Sequence, residues 1–112
     1  NYSAVIKMDY KHTSFLFMGD AEKETEVKLQ DEDVQADVLK VGHHGSDTSS
    51  TTAFLEKVSP KYAIISCGKN NKYGHPDSTV LQNLESIGSA VLRTDQLGTI
   101  IIRSDGTLLT QL

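Results

Sequence analysis

The side chains in this sequence best suited to chemistry are Asp20, the adjacent His43 and His44, and His75. Asp20 closes the run "SFLFMGD", the two histidines follow "ADVLKVG", and His75 sits in "YGHP". One carboxylate and up to three imidazoles suit metal-assisted hydrolysis. Carboxylate oxygen and imidazole nitrogen bind zinc at about 2.0–2.2 Å. The two oxygens of a carboxylate can also bridge two metals ~3.5–4 Å apart. Gly19 and Gly42 let the backbone turn just before each candidate ligand, and Gly45 frees it just after.

Each residue alone also has a plain structural reading. A Gly-Asp pair at a strand end serves as a turn or a helix cap. A histidine pair in a loop can simply be solvated, and "GHP" is an ordinary turn sequence. Ser46, Thr48 and Ser49 suit the cap of a following helix. His12 falls in a hairpin turn, and Cys67 lies in an apolar strand and reads as core. The joint pattern favours a site: strand ends on one edge, each with a ligand-type residue. The count sets a limit. A catalytic zinc takes about three protein ligands plus an open position. The chain offers Asp20 and one or two histidines, with no HxH pair, HExxH run or cysteine cluster. Either the remaining ligands lie in other sequence, or these histidines are not ligands.

The elements that must position these residues follow from periodicity. "YSAVIKMDY" and "SFLFMGD" read as two strands around the short break "KHT", an antiparallel hairpin. "AEKETEVKLQ" reads as a short surface helix with acids at its start. "ADVLKV" is a third strand, and "SSTTAFLEKVSP" a capped helix with Phe54, Leu55 and Val58 as its apolar stripe. "YAIISCG" is a fourth strand, apolar enough to be buried on both faces. "KNNKYGHPDS" is a polar loop. "DSTVLQNLESIG" is a helix capped by Asp77 or Ser78, with Val80, Leu81, Leu84 and Ile87 inward and Gly88 as its stop. "AVLRTD" is a fifth strand, and "GTIIIRSDGTLLTQL" gives two more around Asp105-Gly106. The order predicts an α/β fold with one mixed, largely parallel sheet and about three helices. Right-handed crossovers then place Asp20, His43, His44 and His75 on one rim, where ligands bind in open α/β sheets.

Composition bounds the function. The chain has 112 residues, 38% of them hydrophobic and 23% charged, as expected of one soluble globular domain. Its formal charge is −4 and its pI about 5.4, so bulk charge offers no phosphate-binding surface. A phosphate ester would need a local site such as a metal. The single cysteine excludes an intrachain disulfide. No apolar run approaches the ~20 residues of a membrane span. "NYSAVIKMDY" begins as a strand already under way, without an initiator Met, and reads as a piece of something longer or a processed form.

Taken in order, "FLFMGDAEKETE", "ADVLKVGHHGSDTSS", "PKYAIISCGKNNKYGHPDSTVLQNL" and "VLRTDQLGTIII" resemble the C-terminal half of a metallo-β-lactamase-fold hydrolase. The closest resemblance is to the hydrolase domain of ComEC-type DNA-uptake proteins. It covers nearly all of residues 1–112, which read as a single domain. The resemblance implies half of a four-layer αββα sandwich and two divalent metal ions, zinc or manganese. It implies that Asp20 bridges both metals and that His44, directly before a glycine, is a metal ligand. His43 then lies beside the metals, facing a substrate phosphate or leaving group, so that Asp20 and His43 carry catalysis. His75 and Ser46 are implied as substrate-pocket residues.

The family's HxHxDH signature is absent from this chain. A missing N-terminal half is therefore the implied partner and source of the other ligands, and the isolated chain is expected to be inactive. The sheet face that meets that half should be apolar and exposed, so self-association of the isolated chain is expected. The implied function is phosphodiesterase or DNase action on DNA, linked to uptake and natural competence. The implied location is an extracytoplasmic domain of a bacterial membrane protein. Two alternatives stay open: a soluble hydrolase of the same fold acting on another small phosphoester, and a non-catalytic α/β docking module.

Overall fold

A computed structural model of the chain describes residues 4–68 and 74–112. The expected strand start at residues 2–3 and residues 69–73 of the polar loop lie outside the described residues. Strands β1 (Ile6–Tyr10) and β2 (Thr13–Phe17) pair antiparallel, with Ile6 opposite Phe17 and Tyr10 opposite Thr13. The turn is Lys11-His12, with Lys11 at φ 52. Thr13 belongs to the strand, its hydroxyl donating to the Tyr10 carbonyl at 2.9 Å.

The chain then adds β3 (Val38–Lys40), β4 (Tyr62–Ile65) and β5 (Ala90–Arg93), each parallel to its neighbour, giving the order β1-β2-β3-β4-β5. This is the expected mixed sheet. The register aligns Leu16 with Leu39 and Leu39 with Ala63, so their side chains share one face. That face is covered by α2 (Thr52–Val58) and α3 (Ser78–Ser86). Phe54, Leu55, Val58, Val80 and Leu84 pack there with Leu16, Leu39, Ala63 and Ile65, all 3% exposed or less. Burial of each large aliphatic side chain contributes about 1.5–3 kcal/mol.

Local chemistry sets the helix ends. The Thr51 hydroxyl accepts from Phe54 N at 3.3 Å to start α2, and left-handed Ser59 before Pro60 ends it. The Asp77 carboxylate accepts from Thr79 N at 2.8 Å to start α3, and Gly88 at φ 78 follows its end.

The opposite face is different. Ile6, Met8 and Tyr10 of β1 and Phe17 of β2 are exposed, at 58%, 46%, 44% and 41%. Beyond Val38 and Lys40 of β3, Tyr62 and Ile64 of β4 are only partly covered on this face, so β4 is sealed on one face only, contrary to the expectation of burial on both. An apolar sequence cannot distinguish a face that packs inside this chain from one left for another body.

Two further differences have local causes. β5 stops at Arg93 rather than Asp95, because Thr94–Leu97 forms a short helical turn, α4. The Arg93 guanidinium grips the Asp95 carboxylate through Nε at 3.0 Å and Nη2 at 2.6 Å. Thr94 Oγ1 accepts from Cys67 N and donates to Cys67 O, both at 2.9 Å, and turns the chain out of the sheet. With α1 (Lys23–Lys28), this gives four short helices among the described residues instead of about three. β6 (Ile102–Ser104) and β7 (Leu109–Gln111) form a separate antiparallel hairpin. It rests on the β1–β2 turn: His12 N donates to Gly106 O at 2.7 Å, and the hydroxyls of Thr13 and Ser104 meet at 2.6 Å.

Candidate functional site

The chain leaves β2 at Met18 and makes a tight turn through Gly19, at φ 58, to Asp20. It leaves β3 into the turn Gly42–Gly45. His43 and His44 both occupy the left-handed region, at φ 48, ψ 45 and φ 55, ψ 25. Such conformations cost non-glycine residues of order 1–3 kcal/mol each and persist only where their surroundings enforce them. The enforcement here is visible. His43 N donates to Gly19 O at 2.8 Å, and Ser49 Oγ donates to Gly42 O at 3.1 Å. A Cβ on Gly42 would lie 2.9 Å from Ala21 O and 3.3 Å from Met18 Cβ, so the two ligand-bearing turns meet at a position that admits only hydrogen. On the other side, Asp77 N donates to Gly45 O at 2.8 Å, and a Gly45 Cβ would lie 2.7 Å from Pro76 Cβ. The His75 loop is thereby docked on the same turn.

The sheet edge thus brings Asp20, His43, His44, Ser46 and His75 into one neighbourhood. His44 Nε2 lies 3.8 Å from Asp20 Oδ1. His44 Nδ1 lies 2.8 Å from Ser66 O. A carbonyl only accepts, so Nδ1 carries a proton and donates it. In the neutral ring, Nε2 then presents a lone pair towards the Asp20 carboxylate. These two atoms can share a cation, and with the ring protonated they form an ion pair directly. Metal-ligating histidines commonly hold their second nitrogen in this way.

His43 is oriented differently. Its Nδ1 lies 3.0 Å from Thr48 Oγ1 and 3.4 Å from Glu22 Oε2. The Thr48 hydroxyl holds the Glu22 carboxyl below its usual range; burial opposes this, and the nearby His43 ring adds a smaller lowering effect. The ring of His75 meets that of His43 edge-on, with centroids 6.0 Å apart. A cleft of about 470 Å³ is lined by His43, His44, Ser46 and His75. A second, of about 460 Å³, is lined by Asp20, Glu22, Glu24, Thr25, Lys28 and His43. His43 stands between the two. Ser46 is buried, and its hydroxyl lies 3.1 Å from Thr48 Oγ1 and accepts from Thr48 N at 3.3 Å, so it also braces the loop.

Two neighbours add to the electrostatics. Lys40, one strand residue before the turn, places Nζ 3.1 Å from Val41 O. Burial pushes its ammonium pKa down, while the charge of Asp20 opposes this. Burial, then the Asp95 carboxylate, pushes the Cys67 thiol up, which disfavours the thiolate and suits a packing role.

Asp20 and His44 fit a metal as a pair. Donor atoms bound at 2.0–2.2 Å stand about 3.3–3.6 Å apart at a tetrahedral angle. The observed separation of 3.8 Å closes with a shift of about half an ångström or less. Among the described residues, no group of three or more His, Cys, Asp or Glu is placed to hold a metal. These two residues would therefore be part of a coordination shell. Sequence alone does not single out Glu22 or Ser66, and it singles out Thr48 only as a helix-cap residue. Glu22 carries a signal as an acid two positions after Asp20, but the same acid equally suits a helix start.

Comparison with known proteins adds the family. The model of the metallo-β-lactamase superfamily matches residues 1–69. The chain is 49% identical over 105 residues to ComE operon protein 3 of Bacillus subtilis, an alignment covering 92% of this chain and 14% of that protein. It is 37% identical over 101 residues to competence protein ComA of Neisseria gonorrhoeae, covering 88% of this chain and 15% of the relative. It is 39% identical over 100 residues to recombination protein 2 of Haemophilus influenzae, covering 89% and 13%. The chain thus spans about one seventh of the length of these relatives. No helix among the described residues is long and apolar enough to cross a membrane.

Proposed function

The chain belongs to the metallo-β-lactamase superfamily, and from that premise we propose that it forms the C-terminal part of a metal-dependent phosphodiesterase domain acting on DNA during uptake. The observation that carries this reading is the Asp20–His44 pair, facing at 3.8 Å with the outer His44 nitrogen committed to Ser66 O. The names of the relatives, a competence protein and a product of the ComE operon, support DNA as the polymer. The parent protein would hold the domain on the outer side of a bacterial membrane.

In this reading Asp20 and His44 would hold divalent ions, zinc or manganese, together with ligands from the N-terminal half of the domain. Such ions supply a nucleophile from water at neutral pH and neutralise charge developing on phosphate oxygens. The residues of this chain do the rest. Asp20 would offer its carboxylate oxygens as ligands. His43, turned by Glu22 and Thr48, presents Nε2 to a non-bridging phosphate oxygen or a departing sugar oxygen. His75 and Ser46 wall the cleft on the far side of His43 and limit what enters. The chain carries a net charge of −4, so the basic surface that tracks a DNA backbone belongs to the rest of the protein.

A nuclease assay on the full-length protein tests this reading. Single-stranded DNA should be cut with zinc or manganese present. Asp20→Asn and His43→Ala should each lower the rate by about 100-fold or more. Uncut DNA alongside turnover of a small phosphodiester would move the substrate to a small phosphoester. Absence of both activities in the metal-loaded protein would favour a docking module.

A further inference from the structure

We propose that Glu26 is a positioning residue for the Asp20–His44 pair. The carboxylate sits on α1, in a stretch whose sequence reads as a plain charged surface helix, yet it is only 3% exposed. It accepts from Ser50 N, from Thr51 N at 3.0 Å and from the Thr51 hydroxyl at 2.9 Å. A buried anion held by three donors is strongly fixed, because losing the acceptor leaves those buried donors unmatched.

The position of this tie gives it consequences for the site. Two segments carry the ligands, one running from Met18 through Asp20 into α1, the other from Val41 through His44 to α2. They are laced at three levels: His43 N to Gly19 O at 2.8 Å, Lys23 N to Thr48 O at 2.9 Å, and the Glu26 carboxylate to Ser50 and Thr51. The first two ties are single backbone bonds between neutral groups. Glu26 supplies a charged tie at the third level, far more buried than the Glu22 carboxylate that faces His43 and Thr48 across the same two segments. It grips Ser50, itself left-handed at φ 61, and Thr51, the cap of α2. Asn83 Nδ2 of α3 donates to Ser50 O at 3.1 Å from the other side. Glu26 therefore closes the loop that begins with the strained His43–His44 turn, and holds it against the chain that carries Asp20.

This inference rests on the proposed metal site, and its test separates the two. Zinc affinity of the full-length protein is measured by competition with a chromophoric chelator, for the parent, Glu26→Gln, Glu26→Asp and Val80→Ala. Val80→Ala makes a core cavity under α3 and serves as a control for lost stability. Thermal midpoints of the metal-free proteins are recorded in parallel. Glu26→Gln should weaken zinc binding by about 10–100-fold. Glu26→Asp should recover part of that loss, and Val80→Ala should bind as the parent does. Cobalt loaded in place of zinc should show an altered absorption spectrum only in the Glu26 variants. Equal affinity for Glu26→Gln and parent would overturn the inference, as would equal losses in Glu26→Gln and Val80→Ala. If Glu26→Gln does not fold, Thr51→Ala removes one donor and leaves the carboxylate, and the same comparison decides. A parent protein whose metal is unaffected by Asp20→Asn would defeat the underlying site instead.

Discussion

Nε2 of His44 faces Oδ1 of Asp20 across 3.8 Å, while the other nitrogen of the same ring is held by Ser66 O at 2.8 Å. The ring is thus fixed in rotation and in tautomer before any ion arrives. Preorganisation of this kind is what second-sphere hydrogen bonds give a ligand, and its loss commonly costs 10–100-fold in affinity, as an order of magnitude. Removing the ligand itself should cost at least that. Asp20→Asn and His44→Gln in the full-length protein should each lower bound zinc or manganese by about 100-fold or more in affinity. Elemental analysis after dialysis against a graded chelator buffer reads the outcome. Unchanged metal content in both variants would remove these residues from the site.

Gly45 offers a test of how the His75 loop is seated. At φ 81, with a Cβ position 2.7 Å from Pro76 Cβ, it cannot accept alanine without displacing Pro76 or the turn. Gly45→Ala should destabilise the fold by about 1–3 kcal/mol, read from urea denaturation, and shift the His75 ring resonances. Unchanged stability and spectra would mean that the turn and the His75 loop are not docked as described.

The β6–β7 hairpin carries a pH-dependent element. The Asp105 carboxylate accepts from Leu108 N at 2.7 Å and Thr107 N at 2.9 Å, and these backbone bonds hold its pKa below the usual carboxylate range. A depressed folded value means stability that is present above the unfolded value of ~3.9 and lost as pH falls through the folded one. Asp105→Ala should lower the thermal midpoint at pH 7. Its difference from the parent should shrink as pH drops below about 4. A difference that stays constant down to pH 2 would assign the effect to turn geometry rather than to the charge.

The exposed face of Ile6, Met8, Tyr10 and Phe17 predicts behaviour in solution. A contiguous apolar face on one side of a sheet seeks cover. The 112-residue chain alone should self-associate with rising concentration in sedimentation velocity runs. Ile6→Lys with Phe17→Lys should shift it towards monomer with little loss of fold, since both side chains already face solvent. A parent chain that stays monomeric at millimolar concentration would contradict this.

Much of this was legible in the sequence, for reasons that can be named. Strand and helix order followed from apolar periodicity, because Leu16, Leu39, Phe54, Val58 and Leu84 sit where one buried face requires them. The Asp20, His43–His44 and His75 positions stood out because polar ligand types follow glycine or strand ends. What stayed hidden was long-range side-chain chemistry. Glu26 looks like any acid in "AEKETE", since nothing local tells which glutamate turns inward to Ser50 and Thr51. Asp95 extends a strand-like run, and its grip on Arg93 together with the bonds of Thr94 to Cys67 turns the chain there. The left-handed His43 and His44 break the local preference of their residue type, and only the ties to Gly19 and Ser49 explain why.

If Asp20 and His44 are ligands of a divalent metal, locating that metal in a crystal tests it. Crystals of the full-length protein soaked in zinc or manganese, with data collected at the absorption edge, give an anomalous peak whose neighbours can be named. A peak is expected between Asp20 Oδ1 and His44 Nε2, about 2.0–2.2 Å from each, with the remaining ligands from outside this chain. A metal bound elsewhere, with Asp20 and His44 still 3.8 Å apart and uncoordinated, would contradict it.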